Sequence, residues 1–446
     1  MVRTDQCIRK SYWSIAIPAA LEGLLIVLLS SVDLLMVSSQ GPEAVAAVSI
    51  FSQPKMVILC FSRSLAVAVT ALVASKLGQG QTDKIASIMK RSVMITGIGS
   101  GLLLFLSIWF MRPILVLAGA EADYLAPALR YGKAVSLSLF FNGLAIVMNG
   151  GLTGLGKTIP MLLGNVTGNI INVLFNALFI YQLKWGVIGA GIATVLGSIV
   201  TLIITIGFAH KEMHLLSLKS LQEWLPTRAY LKELWYIVAG VLAEQGFERI
   251  GMFLYSRLTA DLGMISFATH NICMTLCDIY YNVGQGMSKA SLALAGKYKG
   301  KADQIGLKQF TKLAQRSGLY LSLIAAIIYL ALRSPLMHLF SEVPEIIELG
   351  ERILIFVAIC CIPQTQSLIA AGILRGLGHT TYVAKYSLGS IAIIRPIMTW
   401  VLCFAFNFQL YGAWWALLID QSMRMSFAVW KVKKLESKEH TRYYSS

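Results

Sequence analysis

Apolar runs of about 20 residues, broken by short polar segments, recur along almost the whole chain. They fall near 14–38, 47–75, 91–111, 127–152, 160–182, 186–209, 234–258, 264–294, 316–333, 350–374, 384–406 and 410–431. Runs of that length cross the hydrocarbon core of a bilayer as helices, and they are too long and continuous for barrel strands. The pattern predicts twelve membrane-spanning helices. The first run, Ser14 to Ser38, is too long for a signal-peptide core and ends without a small-residue cleavage site, so it reads as the first span.

Composition narrows the class further. Of 446 residues, 56% are hydrophobic and 13% charged, against roughly a quarter charged in soluble domains. A water-soluble enzyme and a disordered chain are both excluded. The 38 Lys and Arg outnumber the 22 Asp and Glu, giving a net charge of +16. The surplus is segregated. It lies at the N-terminus (Arg3, Arg9, Lys10), after the second run (Lys76, Lys84, Lys90, Arg91), at 211–232, at 297–316, from Arg375 to Lys385 and after Trp430. Loops between these carry few basic residues or none, as from Ser38 to Ala46. Basic loops stay on the cytoplasmic side, so both termini are expected there, in the cytoplasmic (inner) membrane of a bacterium. The partner of this charge is then a lipid bilayer and not a nucleic acid. Seven Cys without CxxC spacing predict neither a disulfide framework nor a metal site. His210 and His214 have helical spacing, but Lys211 stands where a zinc protease needs Glu. With six scattered His and no catalytic cluster, the chain is not expected to be an enzyme.

The two halves of the chain resemble each other. Thr153-Gly154-Leu155-Gly156-Lys157-Thr158 is matched by Arg375-Gly376-Leu377-Gly378-His379-Thr380, 222 residues on. Ala74-Ser75-Lys76 pairs with Ala295-Gly296-Lys297, Asp83-Lys84-Ile85 with Asp303-Gln304-Ile305, Gly189-Ala190 with Gly412-Ala413, and Glu22 with Glu244. Six helices per half give a parallel repeat with a pseudo-twofold axis along the membrane normal. The expected architecture is an all-α integral membrane protein of twelve transmembrane helices in two six-helix bundles around a central cleft. Its expected divisions are an N-terminal lobe over 1–210, a basic amphipathic cytoplasmic linker over 211–233 and a C-terminal lobe over 234–446.

Several stretches carry a family resemblance along essentially the full length. The opening helix IPAALEGLLIVLLSSVDLLMVSSQGPEAVAAVSI, the paired LTGLGKTIP and ILRGLGHTT, the Gly-rich GVIGAGIAT and the closing YGAWWALLIDQSMR resemble the multidrug and toxic compound extrusion (MATE) transporters. The resemblance implies antiport: export of amphipathic organic cations in exchange for protons, or for sodium, by alternating access, with no cofactor besides the coupling ion. It implies a gradient as the energy source rather than ATP. A monomer is expected. The alternative within the same superfamily is a lipid-linked oligosaccharide flippase.

Carboxylates inside a membrane are costly and mark function by default. Asp33 lies deep in the first run, and by resemblance it is the ion-coupling carboxylate. Asn172 and Asn176 are i, i+4 and so share a helix face. By resemblance they and Thr194 complete an N-lobe cation site, with Asn176 standing where a branch of the family has Asp. Glu22 lies about 13 Å beyond Trp13 along the helix, and Glu244 about as far beyond Trp235, near mid-membrane. With Glu248, one turn beyond Glu244, they are candidate cleft carboxylates for cationic substrates. Gln364 stands where the family's C-lobe cation site has Asp. Arg249, Asp278, Arg395, Asp420 and Arg424 read as structural pairs, and Asn165 and Asn169 as helix-to-helix glue.

Overall fold

In an apolar solvent a chain must close its backbone hydrogen bonds within each segment, which here means helices. A computed structural model describes residues 2–120, 122–215 and 221–444 of the protein. Among these all regular structure is helical. The α-helices are α1 (Val2–Ser38), α2 (Pro42–Ile50), α3 (Ser52–Gly78), α4 (Asp83–Trp109), α5 (Met111–Leu117), α6 (Ala122–Gly154), α7 (Ile159–Asn176) and α8 (Gly186–Met213). The second half adds α9 (Arg228–Ala260), α10 (Met264–Gly300), α11 (Gln304–Ala331), α12 (Arg333–Phe340), α13 (Pro344–Gly376), α14 (Thr380–Ser387), α15 (Arg395–Trp400) and α16 (Gln409–Tyr444). Short π-helical stretches follow α7 (Ala177–Gln182), α14 (Leu388–Ile394) and α15 (Val401–Ala405).

All twelve apolar runs fall on helical segments. Among the described residues, nine segments are long and apolar enough to cross a membrane. The long helices α9, α10 and α16 are outside that group. They carry Glu244, Glu248 and Arg249, then Asp278 and Lys289, then Asp420 and Arg424. Charge rather than length sets them apart. Elsewhere the outer faces are apolar: Ile98, Leu102 and Phe105 on α4, and Ile324 and Ile327 on α11, are all exposed, a surface suited to lipid.

The chain divides into two compact units, Leu21–Val238 and a second made of Met1–Ala20 with Ala239–Ser446. The start of α1 thus belongs to the second unit, and the start of α9 to the first. In the first unit, Val37, Phe51, Met111, Leu115 and Val135 share one apolar core. Tyr230 of α9 docks there, its hydroxyl 2.6 Å from Ser92 Oγ, and Lys90 pairs with Glu223 at 2.6 Å. In the second unit, Tyr12 of α1 is fully buried and packs its ring against Phe310 at 5.8 Å between centroids. Of the expected linker over 211–233, residues 216–220 lie outside the described residues. Before them α8 ends at Met213, and after them Leu221–Glu223 form one 3-10 turn ahead of α9.

The sequence repeat is also a repeat of backbone geometry. Gly156 and Gly378 both adopt left-handed φ, 81° and 87°. Around each, the same pair of bonds closes the preceding helix. Gly156 N–H donates to Thr153 and Lys157 N–H to Leu152, as Gly378 N–H does to Arg375 and His379 N–H to Leu374. This is the Schellman helix ending, which needs a residue free of Cβ strain at that place. Gly80 and Ala302 end α3 and α10 in the same way, a register of 222 residues, one away from the Lys76 and Lys297 match read by eye. Gly151 to Thr158 also spells the GxxxxGK[ST] spacing of a nucleotide phosphate loop. In such a loop the glycines follow a strand and open a helix. Here they lie in and just after the last turn of α6 and close it, so the spacing builds a helix end and no phosphate cradle.

Close helix packing repeats too. A Cβ on Gly150 would lie 2.6 Å from the Ala66 carbonyl oxygen, and one on Gly154 2.8 Å from that of Thr70, which brings α6 onto α3. Their counterparts Gly372 and Gly376 press α13 onto α10, 2.4 Å from the Ser288 and Leu292 carbonyls. Both are GxxxG faces of the kind that lets membrane helices touch backbone to backbone. Alanine at Gly150 or Gly372 must therefore push two helices apart, whereas Gly97 and Gly207 have nothing within 4 Å of a new Cβ. Gly150→Ala and Gly372→Ala are expected to lower the thermal unfolding midpoint in detergent. Gly97→Ala and Gly207→Ala should leave it unchanged or raise it, since Ala is favoured over Gly in a helix by about 1 kcal/mol. Equal behaviour of the two pairs would contradict this packing.

Candidate functional site

Helices α7 and α8 meet through glycines: a Cβ on Gly168 would sit 2.6 Å from the Gly197 carbonyl oxygen, and one on Gly197 2.5 Å from that of Gly168. This contact brings one turn of α7 against α8 and turns Asn172 and Asn176, both buried, toward the end of α1. There stands Asp33, half-buried. Asn176 Nδ2 donates to Asp33 Oδ1 at 2.8 Å. The Asn172 amide, with its nitrogen toward the carboxylate, donates to both Asp33 oxygens at 2.7 Å. Its oxygen then lies 3.0 Å from the Thr194 backbone nitrogen and 3.3 Å from its hydroxyl. So the structure brings Asp33, Asn172, Asn176 and Thr194 into one cluster.

Two features set this cluster apart. First, Asp33 forms no ion pair among the described residues: Lys55 of α3 acts on it electrostatically from beyond ion-pair distance, and Arg63 acts in turn on Lys55. Second, Asn176 is the last α-helical residue before a π stretch, and its Oδ1 is buried without a hydrogen-bond partner among the described residues. π turns loosen a helix's own bonding and recur at functional sites. The result is a carboxylate faced by neutral donors, with an idle carbonyl oxygen beside it. It can gain neutrality only by taking up a cation, whether a proton or a metal ion.

The three glutamates have different fates. Glu22 is buried in the first unit and accepts from Asn165 Nδ2 at 2.7 Å, so Asn165 joins α7 to α1. Asn169 turns back onto its own helix, donating to the Asn165 carbonyl. Glu244 in the second unit receives two bonds from the Arg375 guanidinium, one of them from Nε at 3.1 Å. Glu248 accepts a long bond from the Tyr281 hydroxyl, 3.4 Å, and Tyr281 accepts from Gln285 at 2.6 Å.

The partners Asn165 and Arg375 were not visible in sequence. The one signal for Arg375 was its place opposite Thr153 in the repeated loop, a charge where the first copy has none. Asp420 pairs with both Arg395 and Arg424, whereas Asp278 and Arg249 interact only beyond ion-pair distance. Gln364 is buried and faces Cys277 Sγ at 3.8 Å. Among the described residues no group of three His, Cys, Asp or Glu is placed to hold a metal. Outside the membrane, His379 is shifted down from its ordinary range by burial and then by Lys431 and Lys299.

Comparisons with known proteins agree on one family. The MatE family model matches residues 18–178 and 237–401. A protein described as a probable multidrug resistance protein NorM, from Rhizobium meliloti (strain 1021), is 24% identical over 428 residues, covering 91% of this chain and 89% of that one. Among solved structures, a multidrug resistance MATE family transporter in an outward-facing conformation is 19% identical, with a TM-score of 0.89 over 97% of this chain and 96% of that one. A MATE structure in a bent conformation gives 0.90 at 18% identity, covering 98% of each chain. A Pyrococcus furiosus transporter of the MOP superfamily, whose binding pocket is described as of reverse polarity, gives 0.88 at 19% identity over 96% of each.

The Glu244 and Arg375 pair generates a test of its own. Removing one partner leaves a lone charge in a poorly hydrated place, at a cost of about 3–5 kcal/mol, while removing both is far milder. Glu244→Gln and Arg375→Gln should each lower the unfolding midpoint strongly, and the double substitution should recover most of the loss. If the double variant is as unstable as the sum of the two, the pair is not coupled as drawn.

Proposed function

The chain belongs to the MatE family, and from that premise we propose that it exports amphipathic organic cations in exchange for protons, with Asp33 as the exchanging group. The observation that carries this reading is the Asp33 cluster, a carboxylate held by Asn172 and Asn176 with no arginine or lysine among the described residues paired to it. Protons are favoured over sodium because Asn176 supplies no second negative charge to offset the dehydration of a metal ion. Protonation or deprotonation of Asp33 would then set which face of the membrane the substrate path opens to. The reading includes the layout implied by the sequence repeat: twelve spans in two pseudo-twofold-related bundles, both termini cytoplasmic, in the inner membrane. Glu22 and Glu248 would attract cationic substrate. Glu244 would contribute less, because Arg375 already balances it.

Purified protein in liposomes, with pH and sodium gradients imposed separately, tests this. Uptake of an ethidium-like cation should follow the pH gradient and disappear in Asp33→Asn. Glu248→Gln should weaken cationic substrates more than neutral ones. Transport driven by sodium alone at fixed pH would overturn the proton assignment. A deletion strain with unchanged ethidium accumulation and defective envelope glycan would instead favour a lipid-linked oligosaccharide flippase.

A further inference from the structure

The duplicated backbone allows the buried polar clusters of the two units to be set in register. Between Gly41 and Gly263, and between Gly156 and Gly378, the copies are 222 residues apart; between Lys184 and Asn407 they are 223 apart, all six with left-handed φ. One residue has therefore been added between Gly378 and Asn407. That stretch holds Leu388–Ile394, a π stretch without a counterpart in the continuous α7. One inserted residue is what turns an α-helical turn into a π bulge. Arg395 follows it directly. Arg395 thus stands where the first unit has Asn172, Thr399 where it has Asn176, Asp420 where it has Gly197, and Tyr255 where it has Asp33.

These counterparts also form a cluster. Arg395 is 3% exposed, and its Nε donates to Asp420 Oδ2 at 3.1 Å while Nη2 bonds to the same oxygen. Nη1 lies 2.9 Å from Met252 Sδ, and the guanidinium carbon lies 5.6 Å from the centre of the Tyr255 ring. Arg424 reaches Asp420 Oδ2 from the other side at 3.3 Å. In the first unit an acid at position 197 has no room, and the acid sits on α1 instead. Each unit therefore sets one carboxylate, half-buried in the first and buried in the second, beside the corresponding turn of α7 or α15. The first lacks a direct counter-ion, whereas the second is closed by a side chain of the protein.

We propose that the second unit holds an internally occupied guanidinium pocket, in which Arg395 fills the place that the first unit leaves for an exchangeable cation. The fit is specific. Two guanidinium N–H groups converge on one carboxylate oxygen while the flat face lies by an aromatic ring, a combination that an ammonium of equal charge does not reproduce. The consequence is that the second unit loads no coupling ion at this place. That consequence rests on the reading of Asp33 given above; the pocket itself does not.

Full-length Arg395→Ala in detergent, probed with millimolar guanidinium chloride and, at equal ionic strength, methylammonium chloride, tests the pocket. Guanidinium, far below denaturing concentrations, should raise the unfolding midpoint of Arg395→Ala but not that of the unsubstituted protein. Methylammonium should do less, and Asp420→Asn in the same background should abolish the response. Absence of a guanidinium-selective rise, or the same rise without the substitution, overturns the proposal. Should Arg395→Ala fail to fold, growth with guanidinium is expected to restore its folded yield but not that of Asp420→Asn; no restoration also overturns it. Adding Asp33→Asn separates the two readings. A guanidinium response that survives while liposome transport keeps its pH-gradient dependence would sink the Asp33 assignment alone.

Discussion

A charge buried among membrane helices must be answered by whatever the neighbouring helices bring to it, and the interior of this protein is organised by how each answer is made. Asp420 is answered by two arginines and Glu244 by one, whereas Asp33 is met by amides. Arginine ends the matter, since it cancels the carboxylate's negative charge and the contact is costly to break. An amide does not. It orients the carboxylate and softens its desolvation but leaves the negative charge in place, so the group keeps its appetite for a mobile cation. Asp33 also has Lys55 at a distance, a weak pull that does not close the site.

The backbone explains how these answers are positioned. Reciprocal glycines press α7 to α8 and set Asn172 where it touches both Asp33 and Thr194. The π stretch after Asn176 leaves that residue at the end of regular helix with a carbonyl oxygen unused. The second unit repeats the same left-handed turns, glycine faces and terminal π stretch, with one further π stretch that carries Arg395 to its place. Duplication thus kept the scaffold while the two polar clusters diverged, one toward openness and the other toward closure.

Much of this was legible in the residues alone, for identifiable reasons. Helices in a membrane must be long and apolar, so their places follow from hydropathy. The i, i+4 spacing of Asn172 and Asn176 put them on one face, and the resemblance supplied Asp33 and Thr194. Twelve spans are expected from hydropathy, and among the described residues nine segments are long and apolar enough to span, because charged groups interrupt the apolar runs of α9, α10 and α16. Pairings across helices, such as Asn165 with Glu22 and Arg375 with Glu244, depend on helix rotation and crossing, which hydrophobic pattern does not specify. The relation of Arg395 to Asn172 was hidden by one inserted residue, since a fixed offset of 222 pairs Asn172 with Ile394 instead.

Under the proposed function, Asp33 should surrender its proton when cationic substrate binds. Purified protein in weakly buffered detergent, mixed with an ethidium-like cation while pH is followed, tests it most directly. Protons should be released on binding by the unsubstituted protein and by Glu248→Gln at saturating substrate, and none by Asp33→Asn. Release of the same size from Asp33→Asn, or binding without release from the unsubstituted protein, would contradict it.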